Sequence, residues 1–227
     1  MEEFRVISST DAWQFLRNKH YAGRKPQITV AFGWYLNNRL VAVCTFGKPG
    51  SPNVCRCVCG NEYSDSVYEL NRLCRVEDLK LQLSHFVSWC LRYLKQFNWI
   101  IISYSDTGMH HNGYIYQACN FMYTGVGAGG THAIDTVGKH PIHIDKEAEK
   151  NLREVTTPKH RYIYFCTSNK KLKKEWANHL QFDIVPYPKG ENQNYVLGEK
   201  HFPTVLDKNG NIVNTDNDNQ FSKYNFI

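Results

Sequence analysis

Trp99-Ile100-Ile101-Ile102-Ser103-Tyr104 (WIIISY) is the stretch on which the fold class of this 227-residue chain turns. It is a short, continuous apolar run, the pattern of a strand buried on both sides. Upstream, Ser84 can cap a helix reaching about Phe97, with Phe86, Cys90, Leu94 and Phe97 spaced for one inner face. Downstream come a short helix over Gly113 to Cys119 and a strand over Phe121 to Val126, with a later strand over Arg161 to Cys166. Further towards the N-terminus, Phe4 to Ser8 reads as a strand. Thr10 and Asp11 can cap a helix carrying Trp13, Leu16 and His20 near one face and ending near Gly23. Ile28 to Leu36 and Leu40 to Phe46 are β-rich runs joined by Asn37-Asn38-Arg39, a hairpin signal. Val67 to Cys74 (VYELNRLC) alternates enough to be another strand. Strands alternating with helices in this order predict an α/β domain over residues 1–202.

Composition agrees with a folded core: 42% of residues are apolar and 14% aromatic. No apolar run reaches the roughly 18 residues that a membrane-spanning helix needs, so no membrane partner is expected. The opening MEEFRVISST is acidic and lacks an apolar run that would mark secretion, and the eight cysteines show no small-domain disulfide spacing. A cytoplasmic protein is the expectation. After Phe202 the chain turns Asn- and Asp-rich (DKNGNIVNTDNDN), and residues 203–227 are expected to fray as a tail.

The net charge is +6, and its placement says more than its size. Between Lys139 and Lys189 stand eleven Lys and Arg against six acids, so most of the excess sits there. Interleaved with Tyr, His and Trp, such a region can bind phosphates by counterion release and stack bases. It can equally be a solvated basic surface. The run Lys170-Lys171-Leu172-Lys173-Lys174 falls on a helix predicted after the Arg161 to Cys166 strand.

Four strings carry a resemblance: KHYAGR (Lys19 to Arg24), ELNRLC (Glu69 to Cys74), SYSDTGMHHNGYIYQACNFMYTG (Ser103 to Gly125) and KHRYIYFC (Lys159 to Cys166). Together they resemble the Mom proteins of phages, which modify adenine in DNA to evade restriction. The third is the most specific, with an Asp at a strand end, a Gly-Tyr-x-Tyr-Gln-Ala turn and helix, and an Asn-Phe-x-Tyr-Thr-Gly strand. The resemblance runs over roughly residues 10–190. It implies a GNAT-like acyltransferase fold, a mixed, strongly twisted central sheet flanked by helices on both faces. The activity it implies is addition of a small acyl or carbamoylmethyl-type group to the N6 amino group of adenine.

Carried over position by position, the resemblance puts the family's His-Tyr pair on His20 and Tyr21, its Arg on Arg72, its Asp on Asp106 and its Tyr on Tyr116. The family's Ser falls on Ser84, with Ser88 close by. It also raises iron as a cofactor, for which His20, Tyr21, Asp106 and Tyr116 would be the ligands. One His, one Asp and two Tyr form a hard, oxygen-rich set of the kind that suits ferric iron.

The chemistry of the residues runs beside the resemblance. The adenine amino nitrogen is a poor nucleophile because its lone pair is delocalised into the ring. A base attacked there has to leave the stack, lie between aromatic faces and meet a proton acceptor. Asp106 ends the WIIISY strand, where a rigid backbone can hold its carboxylate in a cleft, or where it can cap the following turn. Arg72, mid-strand, can hold a phosphate or carbonyl oxygen, or form an ion pair with Glu69 or Asp106. Tyr116 can face back into the cleft or pack as an ordinary aromatic. His20 and Tyr21 stand at a helix end, where a His often just meets the helix dipole.

Two features depart from the implied pattern. GNAT enzymes cradle the coenzyme A pyrophosphate on a Gly-rich loop, whereas the corresponding segment here, RVEDLKLQLSHF (Arg75 to Phe86), has no Gly and two acids. Backbone donors at the start of a Ser84-capped helix remain as anion ligands, so acyl-coenzyme A stays open as the donor. Cys55, Cys57 and Cys59 alternate within VCRCVCG, a spacing that suits one face of a strand and reads as structural rather than as a zinc site. The expected partner is double-stranded DNA bound through residues 139–189, and a homodimer is compatible with the chain. Two rivals remain: an N-acyltransferase acting on a protein or small amine, and a non-catalytic protein that shields DNA.

Overall fold

The computed structural model describes residues 1–22, 24–76, 79–133, 152–190, 193, 196–199 and 204–213. Its elements run β1 (Glu2–Ile7), α1 (Ser9–Arg17), β2 (Val30–Leu36), β3 (Arg39–Gly47), α2 (Pro52–Cys59), β4 (Val67–Arg75) and α3 (Leu83–Leu94). Then follow β5 (Trp99–Asp106), α4 (Tyr114–Ala118), β6 (Met122–Gly127), β7 (Gly130–Ala133), β8 (Leu152–Thr156), β9 (Lys159–Cys166), α5 (Lys170–His179), β10 (Val205–Asp207) and β11 (Ile212–Val213).

Seven strands form the main sheet in the order β1-β2-β3-β4-β5-β9-β6. Every neighbouring pair is antiparallel except β4 and β5, which run parallel. The mixed sheet with helices on both faces is the fold class that the sequence predicts. β5 is covered on both sides, as WIIISY requires. Ile101 faces the cluster built by Phe15 and Leu16 of α1 with Phe86, Val87 and Leu94 of α3. Ile100 and Ile102 face the opposite cluster, built by Val58 and Cys59 of α2 with Trp176 of α5. All three isoleucines are at most 1% exposed, each worth about 1.5–3 kcal/mol of burial. The same two-residue period sends Tyr162 of β9 to the first layer and Ile163 and Phe165 to the second.

Several expectations need correction. Cys55, Cys57 and Cys59 lie on a helix, not a strand. Pro52 at the start of α2 presets helical φ, and the 3.6-residue period then buries Cys55 and Cys59 while exposing Cys57. All eight cysteines are free thiols. α1 is capped by the Ser8 hydroxyl, which accepts from the Asp11 amide, rather than by Thr10 or Asp11, and it stops at Arg17. α3 begins at Leu83 with Gln82 at its cap position, so Ser84 lies inside the first turn and caps nothing. α3 ends at Leu94, and Phe97, expected on its inner face, sits in a separate 3-10 turn with 47% of its surface exposed.

A second sheet, in the order β11-β10-β8-β7, has no counterpart in the sequence reading. Its described C-terminal part belongs to the segment expected to fray: Val205 pairs with Glu154 of β8 and is 1% exposed. In the basic stretch, Lys139, Lys146 and Lys150 lie outside the described residues. Lys170, Lys171, Lys173 and Lys174 are exposed on α5, while Leu172 and Trp176 turn inward. Among the described residues no helix is long and apolar enough to cross a membrane.

Candidate active site

β4 and β5 pair only from Val67 opposite Ile100 to Glu69 opposite Ile102. Beyond that, β4 stays bonded to β3 as far as Arg75, and β5 stays bonded to β9 as far as Asp106 opposite Lys159. Each strand follows its outer neighbour, the sheet twists, and the two part into a wedge. At the first step past the last ladder pair, the buried Ser103 hydroxyl donates to the Leu70 carbonyl at 2.9 Å.

The wedge holds a cavity of about 450 Å³. Its walls are Glu69 to Arg75 of β4, Tyr104 to Asp106 of β5, Gly113 to Tyr116 at the start of α4, His20 and Tyr21 beyond α1, and His111, Lys159, Leu83 and Leu197. Five of the six positions marked in the sequence therefore line one space: His20, Tyr21, Arg72, Asp106 and Tyr116. Ser84 does not. Its neighbour Leu83 reaches the wall, while the Ser84 carbonyl accepts from the Cys119 thiol at 3.4 Å.

His20 and Tyr21 stack, with ring centroids 4.5 Å apart and planes 26° from parallel. The Ala22 amide donates to His20 Nδ1 at 3.0 Å, which fixes the ring and leaves its proton on Nε2. Tyr21 also meets the His111 ring edge-on at 6.0 Å. Burial, with Asp106 beside it, pushes the Tyr21 phenol up to about 12, against the pull of Arg72. Burial likewise raises the Tyr116 phenol, against the Ser103 hydroxyl next to it. Tyr116 is held at 5.5 Å by Phe121 and at 5.3 Å by Tyr162.

Arg72 forms no ion pair with Glu69 or Asp106 among the described residues. Its guanidinium donates to the carbonyls of Asn71 at 2.7 Å and Arg24 at 3.0 Å, tying β4 to the segment that follows Tyr21. Burial lowers its pKa, and Tyr21, Glu69 and Tyr116 oppose the shift. Asp106 is both a turn cap and a wall residue. Its Oδ1 accepts from the Gly108 amide at 2.9 Å and from the Thr157 hydroxyl, and its Oδ2 lies 3.4 Å from Lys159 Nζ. Gly113, where α4 begins, has φ +70°, and a Cβ there would meet the Tyr162 ring at 2.4 Å. Only glycine lets the turn press this closely on β9, and that approach aims α4 and Tyr116 at the wedge.

Among the titratable wall residues that sequence reasoning missed are Glu69 and His111. Glu69 was visible in ELNRLC only as a partner for Arg72. Burial raises its carboxyl pKa, against Arg72 and Lys159, and its side chain makes no hydrogen bond among the described residues. His111 stands in the long string beside His110. Burial lowers its pKa, opposed by Asp106, so the imidazole is neutral around pH 7.

The four residues raised for iron share the cavity, and nothing beyond that shared lining supports a ferric centre. Asp106 already serves three partners, and His20 and Tyr21 are stacked face to face. Among the described residues no three His, Cys, Asp or Glu side chains gather as metal ligands.

The chain is similar in structure to an N-acetyltransferase from Staphylococcus aureus Mu50, at 13% identity and TM-score 0.45, covering 74% of this chain and 99% of that one. It is similar to the ribosomal-protein-S18-alanine N-acetyltransferase from Escherichia coli, at 8% identity and TM-score 0.46, covering 75% and 97%. An acetyltransferase of the GNAT family from Streptococcus pneumoniae gives 7% identity and TM-score 0.42, covering 72% and 98%. Likeness at this level carries no argument about activity. No curated protein matches the sequence. The model of the Mom protein family matches residues 2–189, well over half of the sequence, and the chain belongs to that family.

Proposed function

We propose that this Mom family protein transfers a small group to the N6 amino group of adenine in DNA. The observation that carries the reading is that His20, Tyr21, Arg72, Asp106 and Tyr116 line a single cavity together with Glu69. At about 450 Å³ the cavity is in the size range of small-ligand pockets, room for one base and a small transferred group. The base enters by leaving the duplex stack and lies against the His20–Tyr21 stack. The amino nitrogen attacks the electrophilic carbon of the donor and its bond to that carbon forms. The nitrogen gives up one proton, and the donor's leaving group departs with the electron pair of the bond that breaks.

Glu69 is the proton acceptor in this reading. Its carboxylate has free lone pairs, and its raised pKa makes it a stronger base than an exposed Glu. Asp106, occupied by Gly108, Thr157 and Lys159, shapes the turn after β5 and positions Lys159 at the wall. Arg72 fixes the wall by its two carbonyl bonds. The sequence leaves the donor unknown, with acyl-coenzyme A open as one class. With no Gly-rich loop between Arg75 and Phe86, its anionic part would meet the cations of the wall, Arg72, Arg75 and Lys159.

The test is expression in a bacterial host followed by digestion of the host DNA with restriction enzymes whose sites contain adenine. Protection at a subset of sites supports the reading. Complete cleavage, with folded protein demonstrated in the same cells, overturns it. Turnover of acetyl-coenzyme A on a small amine by that protein would then favour an ordinary N-acyltransferase.

A further inference from the structure

The end of β5 opposite the cavity carries a column of aromatic rings. Tyr68 and Trp99 lie face to face at 3.7 Å and 12°, and Phe97 stacks on Trp99 at 5.3 Å and 28°. Lys48 Nζ closes one end of the column, 4.0 Å over the Tyr68 ring. At the other end Phe97 is 47% exposed, and Tyr93, tilted against it at 6.2 Å, is 38% exposed. None of these rings lines the cavity. Trp99 and Asp106 are the two ends of β5, seven steps apart or about 23 Å at roughly 3.3 Å per residue.

Two further cations stand next to the exposed end of the column in the chain. Arg92 is exposed beside Tyr93, and Lys95 shares the 3-10 turn with Phe97. Asp65, next to Tyr68, is the acid that acts on the column. Exposed flat rings bordered by cations match a ligand that offers both π-faces and phosphates. A second copy of the chain would bring like charges face to face and is disfavoured. A duplex hides its base planes except at its ends, whereas a single strand presents them all.

We propose that this surface binds a single-stranded segment of nucleic acid, one base continuing the ring column on the outer face of Phe97 while phosphates meet Arg92 and Lys95. The inference rests on reading the chain as a DNA-acting protein, but its test measures binding alone and needs no chemistry in the cavity.

The experiment uses the full chain with a fluorescein-labelled oligothymidylate and, separately, a duplex of equal length, followed by anisotropy across a series of salt concentrations. Phe97→Ser, at an exposed position, should weaken single-strand binding roughly tenfold and leave the salt slope unchanged, because it removes a ring and no charge. Phe97→Trp should restore affinity. Reversing charge at Arg92 and Lys95 should weaken binding and flatten the salt dependence. Ile212→Ser, at an exposed apolar position on β11 of the second sheet, should bind as the parent does, which separates loss of the ring column from loss of any surface apolar group. Unchanged single-strand affinity in Phe97→Ser overturns the proposal. So does affinity that Ile212→Ser lowers as much as Phe97→Ser, or a dimer that Phe97→Ser turns into monomer without changing affinity.

Discussion

Ser103 of β5 donates its hydroxyl to the carbonyl of Leu70 in β4 at 2.9 Å, one step past the last residue pair that joins the two strands. A side chain thus takes over where the backbone ladder ends, and it marks the apex of the wedge that becomes the cavity. Without it, a carbonyl in a buried setting would lose a hydrogen bond. Ser103→Ala should cost roughly 1–3 kcal/mol of stability. Denaturant unfolding of the variant checks this, and a change within a few tenths of a kcal/mol would show that the apex is held by something else.

Glu69 is expected to separate stability from activity. A carboxyl whose folded pKa is raised is least favourable to the fold when ionised. Its stabilising contribution is complete below the unfolded value and declines as pH rises through the folded one. At neutral pH Glu69→Gln should therefore leave the melting temperature unchanged or higher. Activity should fall about 100-fold or more, as for loss of a general base. In the parent protein, activity should fade as pH drops through the raised value. A destabilised yet active Glu69→Gln variant would reassign Glu69 to a structural role.

Asp106 holds the turn through Oδ1 and Lys159 through Oδ2. Asp106→Ala removes both and should destabilise by about 1 kcal/mol or somewhat more, typical of a lost cap. Asp106→Asn keeps the acceptor for the Gly108 amide and should recover most of that stability. Thermal unfolding of the two variants side by side decides it: equal losses would mean that the charge and not the cap matters.

Alkaline titration probes the buried phenols. Tyr21 and Tyr104 are both pushed up to about 12, chiefly by burial. Raised acids stabilise the fold fully below their unfolded value near 10 and lose that contribution as pH climbs through the folded one. Stability should thus fall between about pH 10 and pH 12, with tyrosinate absorbance from these residues appearing only as the chain unfolds. Smooth titration of every tyrosine near pH 10 in folded protein would contradict the wall as described.

Local pattern carried much of the fold. WIIISY was legible because three isoleucines in a row admit no polar face, and the Asn37-Asn38 hairpin because both residues adopt positive φ. The alternating cysteines misled because a two-residue spacing also fits a helix, and Pro52 was the signal that could have decided it. The second sheet was invisible because it joins β8 to β10 across about fifty residues of sequence with strands of three to five residues. Motif strings supplied five wall residues, yet not their geometry. That Arg72 bonds carbonyls, that Asp106 is already occupied, and that Glu69 and His111 share the space all follow from the parting of β4 from β5, a non-local event.

The most direct test of the central claim is mass analysis of nucleosides from DNA of cells expressing the protein. The account predicts a deoxyadenosine derivative of increased mass in cells with the parent chain, absent or nearly so with an equally expressed, folded Glu69→Gln variant. Unmodified deoxyadenosine from cells in which the parent protein is folded would contradict it.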